Sequence, residues 1–232
     1  MDPVEIAKMA EIEESHWWFR ERRILIAREI RDWKPGQALD IGAAAGGNTR
    51  VLQRHGWQTV ALEYDESAAA LAKSRGIEVL RGDATRLPFP DSRFDLAVSY
   101  DVLEHIEDDG AVVREIARVL KPGGRALIAV PADPRLWRQH DVAVNHVRRY
   151  TRASLSVLFE EAGFQLDQVR SWNVLMRPAL AWKRKRPNQG SDIEDVPAVL
   201  NTVLGAVVAL ERALPVGRFP GVSLMLRATN RK

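Results

Sequence analysis

A short apolar strand, an acidic residue and a run of glycines lie close together early in the chain. Residues 38–41 predict a buried strand that carries Asp40 near its end, and residues 42–47 form a glycine-rich turn before a helix. Glycines let the backbone bend sharply and approach a ligand closely, because they have no Cβ. A second apolar strand, 59–62, ends at Glu63. A carboxylate at that point can accept both ribose hydroxyls, so the spacing predicts a nucleoside-cofactor site.

Strands and helices alternate from residue 38 onward, and these elements must position the site. We expect the strands at 38–41, 59–62, 78–81, 94–99, 125–130, 164–172 and 222–229. Continuous apolar strands separated by helices predict an α/β fold with a doubly wound, mostly parallel seven-stranded sheet. Ligands of such sheets lie beyond the carboxyl ends of the strands. Asp40, Glu63, Asp83 and the stretch 99–101 all fall at those ends, which strengthens the predicted site.

Helical segments are expected before the sheet and between its last two strands. We predict these helices at 3–14, 19–32, 174–186 and 196–214. The pattern divides the chain into an N-terminal helical cap or lid at 1–35, a core at 36–172 and 222–232, and a helical insertion at 173–221. The aromatic cluster at 15–20 either docks the first helix or closes over the cofactor. Lys121-Pro-Gly-Gly124 is expected as a turn between a helix and the next strand.

Composition narrows the function classes. The 232 residues fit one large domain or a domain with an appendage. The chain has no cysteine, which excludes disulfides, thiolate metal sites and a cysteine nucleophile. The net charge of +3 argues only weakly for an anionic partner. An acidic N-terminus unlike a signal peptide, and apolar windows too short for a bilayer, lead us to expect a soluble cytoplasmic protein.

The acidic residue before the turn discriminates between cofactors. A dinucleotide fingerprint seats a pyrophosphate against a helix N-terminus, where a carboxylate at Asp40 would repel it. S-adenosylmethionine carries an ammonium and a sulfonium, so a carboxylate beside the turn suits this cofactor. Two alternatives stay open. One is a nicotinamide-dependent oxidoreductase, which the position of Asp40 disfavours, and the other is a protein that binds S-adenosylmethionine without catalysis.

Five motifs in order make the sequence resemble the class I S-adenosylmethionine-dependent methyltransferases. They are LDIGAAAG at 39–46, ALEYD at 61–65, GDATRLPF at 82–89, FDLAVSYDVLEH at 94–105 and LKPGG at 120–124. The resemblance covers residues 37–165 and departs from the family at Ala44, where glycine is usual. It implies a Rossmann-like methyltransferase fold and an enzyme that transfers a methyl group from S-adenosylmethionine.

The resemblance also implies roles for individual residues. The residues expected around the methionine part are Gly42, Ala43, Ala44 and Gly46 through their backbone, Asp40 directed toward that end, and Ser99 and Tyr100 flanking it. The residues expected around the nucleoside are Glu63 on the ribose hydroxyls, Tyr64 against the adenine, and Asp83 and Ala84 at the adenine polar atoms.

Two histidines, His140 and His146, follow the fifth strand in a loop that leaves the carboxyl end of the sheet. Histidine titrates near neutrality, so we predict that one of them is the general base or orients the acceptor. Alternatively, His146, Arg148 and Tyr150 lock the loop against the next helix. The further candidate substrate contacts are Trp18, Arg20, His105, Arg149 and Tyr150. Asp141 and the histidines match no strong metal spacing, so we assign no metal.

The predicted acceptor is a small molecule with an oxygen or nitrogen nucleophile, such as a sugar or another secondary metabolite. The motif typical of enzymes that methylate base amino groups is absent after the fourth strand, where residues 99–102 read Ser-Tyr-Asp-Val. We therefore expect no nucleic-acid partner. The basic, apolar stretch 174–186 is either a solvated face of a capping or dimer helix or a peripheral contact with an anionic membrane. A monomer or a homodimer is expected.

Overall fold

A seven-stranded sheet forms the centre of the molecule in a computed structural model, which describes residues 12–183 and 196–232. The strands are β1 (Gln37–Ile41), β2 (Gln58–Glu63), β3 (Val79–Arg81), β4 (Phe94–Tyr100), β5 (Leu120–Pro131), β6 (Phe164–Trp172) and β7 (Ser223–Asn230). Their order is β3-β2-β1-β4-β5-β7-β6, and only β7 runs antiparallel to its neighbours. The predicted α/β fold with a mostly parallel sheet is confirmed.

Helices cover this sheet on both faces. Within the described ranges they are α1 (Trp17–Ile30), α2 (Gly47–Arg54), α3 (Glu66–Ser74), α4 (Asp109–Val119), α5 (Gln139–Ala143), α6 (Arg152–Glu161), α7 (Arg177–Lys183) and α8 (Ala198–Glu211). Aspartates at the N-caps fix where two of them begin. The Asp65 carboxylate accepts hydrogen bonds from backbone amides in the first turn of α3, and the Asp108 carboxylate does the same for α4. Each cap satisfies amides that the helix itself leaves unpaired.

The hydrophobic core has two parts, one on each face of the sheet. Ile116 of α4 and Phe159 of α6 are fully buried in one part. Leu25 of α1 and Leu52 of α2 are fully buried in the other. The chain returns from β3 to place β4 beside β1, so the strand order reverses between β1 and β4. This reversal opens a crevice at the carboxyl ends of these two strands, where ligands of open α/β sheets bind.

Two local predictions are wrong. The helix expected at 19–32 begins at Trp17, so the aromatic cluster lies in the first turns of α1 and not in a linker. The expected turn at 121–124 lies within β5, where Phe94 pairs with Leu120 and Leu96 pairs with Arg125. The extra residues bulge out of the ladder, and Gly123 supplies the positive φ of 77° that this bulge requires.

The segment between β6 and β7 contains helices α7 and α8, as predicted for the region before the last strand. α7 begins at Arg177, three residues after the expected start, and α8 is shorter than the expected 196–214. Residues 184–186 of the basic stretch, the linker at 187–195 and most of the helix expected at 3–14 lie outside the described residues. The division into cap, core and insertion stays a prediction.

None of the helices in the described ranges is both long enough and apolar enough to cross a membrane.

Candidate functional site

The glycine-rich turn between β1 and α2 has a backbone that few residues could adopt. Gly42 has a φ of 73° and Gly46 a φ of 87°, which is the left-handed region that favours glycine. A Cβ at Gly42 would overlap Cγ2 of Val102. Ala44 takes a φ of 47° in the same turn, although glycine would adopt it more easily. The turn therefore brings main-chain atoms, and few side-chain atoms, to the end of β1.

Glu63 ends β2 and faces this turn. Its Oε2 accepts a hydrogen bond of 2.8 Å from the Ala44 amide, and its Oε1 accepts one of 2.9 Å from the Asp65 amide. A carboxylate can accept about four hydrogen bonds, so lone pairs stay free for a ligand. Tyr64 follows with 75% of its surface exposed, so its ring is open to stacking.

Asp40 lies beneath the turn and is fully buried. Its Oδ2 accepts a hydrogen bond of 2.5 Å from the Thr49 hydroxyl, while its Oδ1 has no partner among the described residues. Burial raises the pKa of Asp40 to about 7, and the carboxylate of Glu63 adds to that effect. The group therefore carries only part of a negative charge at neutral pH, and its contact with a cationic ligand stays a prediction.

Asp83 and Ala84 follow β3 at the same edge. The Gly82 amide donates to the Glu63 carbonyl at 3.1 Å, which holds this loop beside β2. Oδ1 of Asp83 accepts hydrogen bonds of 2.8 Å from both the amide and the hydroxyl of Thr85. Asp83 is exposed and Ala84 is buried. The geometry leaves Asp83 accessible to a base, and its predicted role with adenine is untested.

Ser99 and Tyr100 end β4, but both side chains are buried. The Tyr100 ring lies in the core part beneath α1, and the guanidinium of Arg22 sits 5.0 Å from its centroid. The Tyr100 side chain is therefore part of the core, and the expected place of Ser99 and Tyr100 beside the methionine part stays a prediction. Alternation along a strand explains this result, since Leu96, Val98 and Tyr100 must share one face.

The buried Arg22 forms an ion pair with the half-buried Asp101 just beyond β4. Burial lowers the pKa of Arg22 to about 10, still well above neutrality, so the guanidinium stays charged. Asp101 has a φ of 55°, uncommon for a residue other than glycine. The sequence predicts that Asp101 lies at this edge of the sheet. It does not predict the pairing with Arg22, because α1 lies far upstream and no sequence pattern links the two residues.

Asp141 organises the loop after β5. It is fully buried, and it accepts hydrogen bonds of 2.7 Å from Arg149 Nε and 2.9 Å from the Arg138 amide. Nδ1 of His146 lies 3.0 Å from the same carboxylate. Burial alone would raise the pKa of Asp141, but the hydrogen bonds from His146 and Arg149 outweigh it and hold this pKa well below its usual range. Asp141 is thus an anion that fixes the orientation of His146.

Three further side chains surround His146. Nε2 of His146 lies 3.8 Å from Oε1 of Glu104, which is fully buried, and burial raises the pKa of Glu104 to about 8. The ring of His105 lies 4.8 Å from that of His146 between centroids, and the ring of His140 lies 6.3 Å away. The structure therefore brings all three predicted histidines together, and it adds Glu104 and Asp141, which sequence reasoning gave no role. The Leu-Glu-His run after β4 was the available signal for Glu104.

The remaining predicted substrate contacts are spread out. Arg149 also donates to the Ala132 carbonyl at 3.0 Å, and the Tyr150 hydroxyl donates to Asp109 Oδ2 at 2.7 Å. Both side chains are buried, and Tyr150 bonds to α4 and not to the helix that follows it, so the alternative that His146, Arg148 and Tyr150 lock the loop against the next helix stays a prediction. Trp18 packs against Trp172 with 4.6 Å between ring centroids, and Arg20 is exposed. None of these four residues lies in the histidine cluster. Arg149 is connected to it only indirectly, through Asp141.

Comparison with known proteins agrees with this geometry. Residues 39–128 match the family described as "Methyltransferase domain". A protein of Mycolicibacterium smegmatis named "Probable S-adenosylmethionine-dependent methyltransferase" is 29% identical over 158 residues, covering 66% of this chain and 62% of that protein. The demethylmenaquinone methyltransferase of Corynebacterium glutamicum (strain R) is 38% identical over 150 residues, covering 62% of this chain and 65% of that protein. The matches thus span somewhat less than two thirds of each of these relatives.

A solved structure of a methyltransferase from Thermotoga maritima has the same fold. It aligns with a TM-score of 0.66 at 20% identity, over 98% of this chain and 95% of that one. Residues 39–128 therefore match a methyltransferase domain, in agreement with the resemblance that the motifs carry, and the whole chain shares its fold with a solved methyltransferase. The matched segment 39–128 contains the glycine turn, Glu63 and Glu104, but it ends before His140 and His146.

Proposed function

We propose that this protein transfers a methyl group from S-adenosylmethionine to a small-molecule acceptor. The observation that carries the proposal is the position of Glu63, whose carboxylate joins the amide of Ala44 in the glycine turn to the amide of Asp65. A carboxylate fixed in this way beside a turn made of main-chain atoms suits a ribose better than a phosphate. A relative of this chain is named as a probable S-adenosylmethionine-dependent methyltransferase, which supports the choice of this cofactor.

In the proposed complex the cofactor lies along the ends of β1, β2 and β3. The ribose hydroxyls donate to Glu63, and the exposed ring of Tyr64 packs on the adenine. Asp83 and the Ala84 amide bind the adenine edge. The methionine part lies over the turn at 42–46, and its methyl group is then directed toward the ends of β4 and β5.

The acceptor is proposed to lie at the histidine cluster. Methyl transfer is an in-line displacement at a carbon that the sulfonium already activates, so the protein mainly aligns the two reactants. Asp141 accepts from Nδ1 of His146, which leaves Nε2 directed toward the cluster. His146 is therefore the better-held of the two predicted histidines for orienting the acceptor or removing its proton, which contributes roughly 10² to 10⁴-fold when the acceptor is a hydroxyl or an ammonium.

A small molecule is the acceptor class that the observations favour. One relative is named as a demethylmenaquinone methyltransferase, and such a quinone is a small molecule. A sugar or another secondary metabolite fits the predicted chemistry equally. A monomer or homodimer, and a membrane contact through 174–186, remain proposals.

Calorimetry with S-adenosylmethionine and with its demethylated product tests the cofactor part. We expect one site per chain, and an absence of binding at high micromolar concentration would remove the proposal. Mass spectrometry of a panel of hydroxyl and amine acceptors tests the transfer itself. Products heavier by one methylene support it, whereas cofactor binding without any product from a broad panel would favour a non-catalytic binding protein.

A further inference from the structure

Three potential metal ligands meet in the histidine cluster. Glu104, His105 and His146 each offer one ligand atom, and these atoms all lie within 4.8 Å of one another. We propose that these three residues bind one divalent transition-metal ion of the zinc type. A pair of imidazoles with one carboxylate is a donor set that suits Zn²⁺, Co²⁺ or Fe²⁺ better than Mg²⁺ or Ca²⁺.

Glu104 supplies the independent observation that a ligand belongs here. It is fully buried, and neither carboxylate oxygen has a hydrogen-bond partner among the described residues. The two buried cations nearby are already paired, Arg22 with Asp101 and Arg149 with Asp141. A buried carboxyl group without a partner is costly, and a bound cation would remove that cost.

The histidines are held as metal ligands usually are. Nδ1 of His146 lies 3.0 Å from the Asp141 carboxylate, and Nδ1 of His105 lies 3.3 Å from the Asn145 carbonyl. When Nδ1–H donates to an oxygen in this way, Nε2 is the nitrogen that remains for a metal. A carboxylate that accepts a hydrogen bond from one ring nitrogen of a histidine, while the other nitrogen binds the metal, is common in zinc sites.

The spacing requires a modest contraction on binding. Ligand atoms of one zinc-type ion lie about 3–3.5 Å apart when each bond is about 2.0–2.2 Å. Nε2 of His146 and Oε1 of Glu104 are 3.8 Å apart, so a small rotation of either side chain suffices. His105 is exposed, which gives the ion a path from solvent and leaves coordination positions open.

The role of the ion rests on the proposed methyl transfer. An acceptor hydroxyl that binds to the ion loses its proton more easily, because the cation stabilises the oxyanion. The proton passes to His140, the oxygen forms a bond to the methyl carbon, and the carbon–sulfur bond breaks with its electron pair left on sulfur. His146 then acts through the ion as a positioning residue.

Cobalt titration of the untagged, chelator-treated full chain tests the site without any need for turnover. We expect d–d absorption bands that saturate at one Co²⁺ per chain and that are displaced by Zn²⁺. His105→Ala, at an exposed position, should abolish these bands without unfolding the protein. His55→Ala is the matched control, since His55 is an exposed histidine at the end of α2, and its bands should equal those of the wild type.

Two further variants separate a metal site from a structural cluster. Glu104→Gln should also lose the bands, whereas Asp141→Asn should weaken Co²⁺ binding by roughly 10- to 100-fold, because it only supports a ligand. Absence of bands in the wild type, or unchanged bands in both His105→Ala and Glu104→Gln, would overturn the proposal. Calorimetry on the same metal-free protein keeps the two proposals apart, since S-adenosylmethionine should still bind there, and the metal site can fail while the cofactor site stands.

Discussion

The two halves of the sheet edge hold their polar groups in different ways. On the β1–β3 half, the main chain of the glycine turn and single acidic side chains such as Glu63 and Asp83 face outward. On the β4–β5 half, charged side chains are buried in contact with one another, as in the pair of Asp141 and Arg149. The first half is suited to grip a cofactor by backbone shape. The second half is suited to chemistry, because charges interact more strongly where water is excluded.

The two halves should therefore differ in how mutations act. We call the β1–β3 half the cofactor half and the β4–β5 half the acceptor half. Changes on the cofactor half should mainly alter the affinity for the cofactor, whereas changes on the acceptor half should first alter the stability of the fold. A variant that removes one partner of a buried ion pair leaves the other charge unpaired.

Asp141→Ala should have the largest effect. It leaves Arg149 and His146 without their shared carboxylate in a buried place, so we expect a loss of about 3–5 kcal/mol in the free energy of unfolding. Urea denaturation followed by circular dichroism measures it. Asp91→Ala is the control, since Asp91 pairs with Arg118 at the surface and should lose less than about 1 kcal/mol. Equal losses in the two variants would contradict the contrast between the halves.

Asp40 is the exception on the cofactor half, because it is a buried acid. Burial raises its pKa to about 7 in the folded protein, whereas an unfolded aspartate has a pKa of about 3.9. The folded state therefore favours the protonated form of Asp40. The contribution of Asp40 to the free energy of unfolding is complete below about pH 4 and is lost as the pH rises through 7. Between these two pH values, the free energy of unfolding of the wild type should fall by roughly 2–4 kcal/mol relative to that of Asp40→Asn. Parallel stability curves for the two proteins would show that Asp40 titrates normally.

Glu63→Ala should act on binding. The variant loses the group that we propose for the ribose hydroxyls, so the affinity for S-adenosylmethionine should fall by about 1.5–3 kcal/mol, or roughly 10- to 150-fold. Calorimetry measures the change. Glu66→Ala is matched to it, since Glu66 lies nearby, pairs with Arg81 at the surface and has no proposed part in binding. An unchanged Kd in Glu63→Ala would end the proposed role of this carboxylate.

Gly42→Ala should have the smallest of these effects, measured against Gly76→Ala. Both glycines have positive φ angles, 73° and 79°, so both variants incur backbone strain. Only at Gly42 does the new Cβ meet a neighbour, Val102. We expect the free energy of unfolding to fall by about 1–3 kcal/mol more in Gly42→Ala than in Gly76→Ala, as measured by thermal or urea unfolding. Similar losses would mean that the turn tolerates a side chain.

The two halves of the sheet edge also differ in how much of their structure the sequence could predict. The fold and the order of motifs on the cofactor half follow from local patterns, namely apolar strands, a glycine turn and acids at strand ends. The bulge at 121–124 and the helical start at Trp17 depend on pairing and packing that short-range patterns do not contain. Strand alternation could have placed Tyr100 in the core, since Leu96 and Val98 precede it on the same face.

The acceptor half was less accessible to sequence reasoning. His140 and His146 were predicted as candidates, but the contact of His146 with Glu104 joins two loops about forty residues apart in the chain. No periodic pattern encodes such a contact, because it arises only when the ends of β4 and β5 become neighbours. The pairing of Arg22 with Asp101 was missed for a similar reason, because these two residues also lie far apart in the chain.

A crystal structure of the complex with S-adenosylhomocysteine would show whether the cofactor site and the histidine cluster face each other. We expect that the ribose hydroxyls donate to the Glu63 carboxylate and that the thioether sulfur faces the cluster of Glu104, His105 and His146. A nucleoside bound elsewhere, with Glu63 still bonded only to the amides of Ala44 and Asp65, would contradict this expectation.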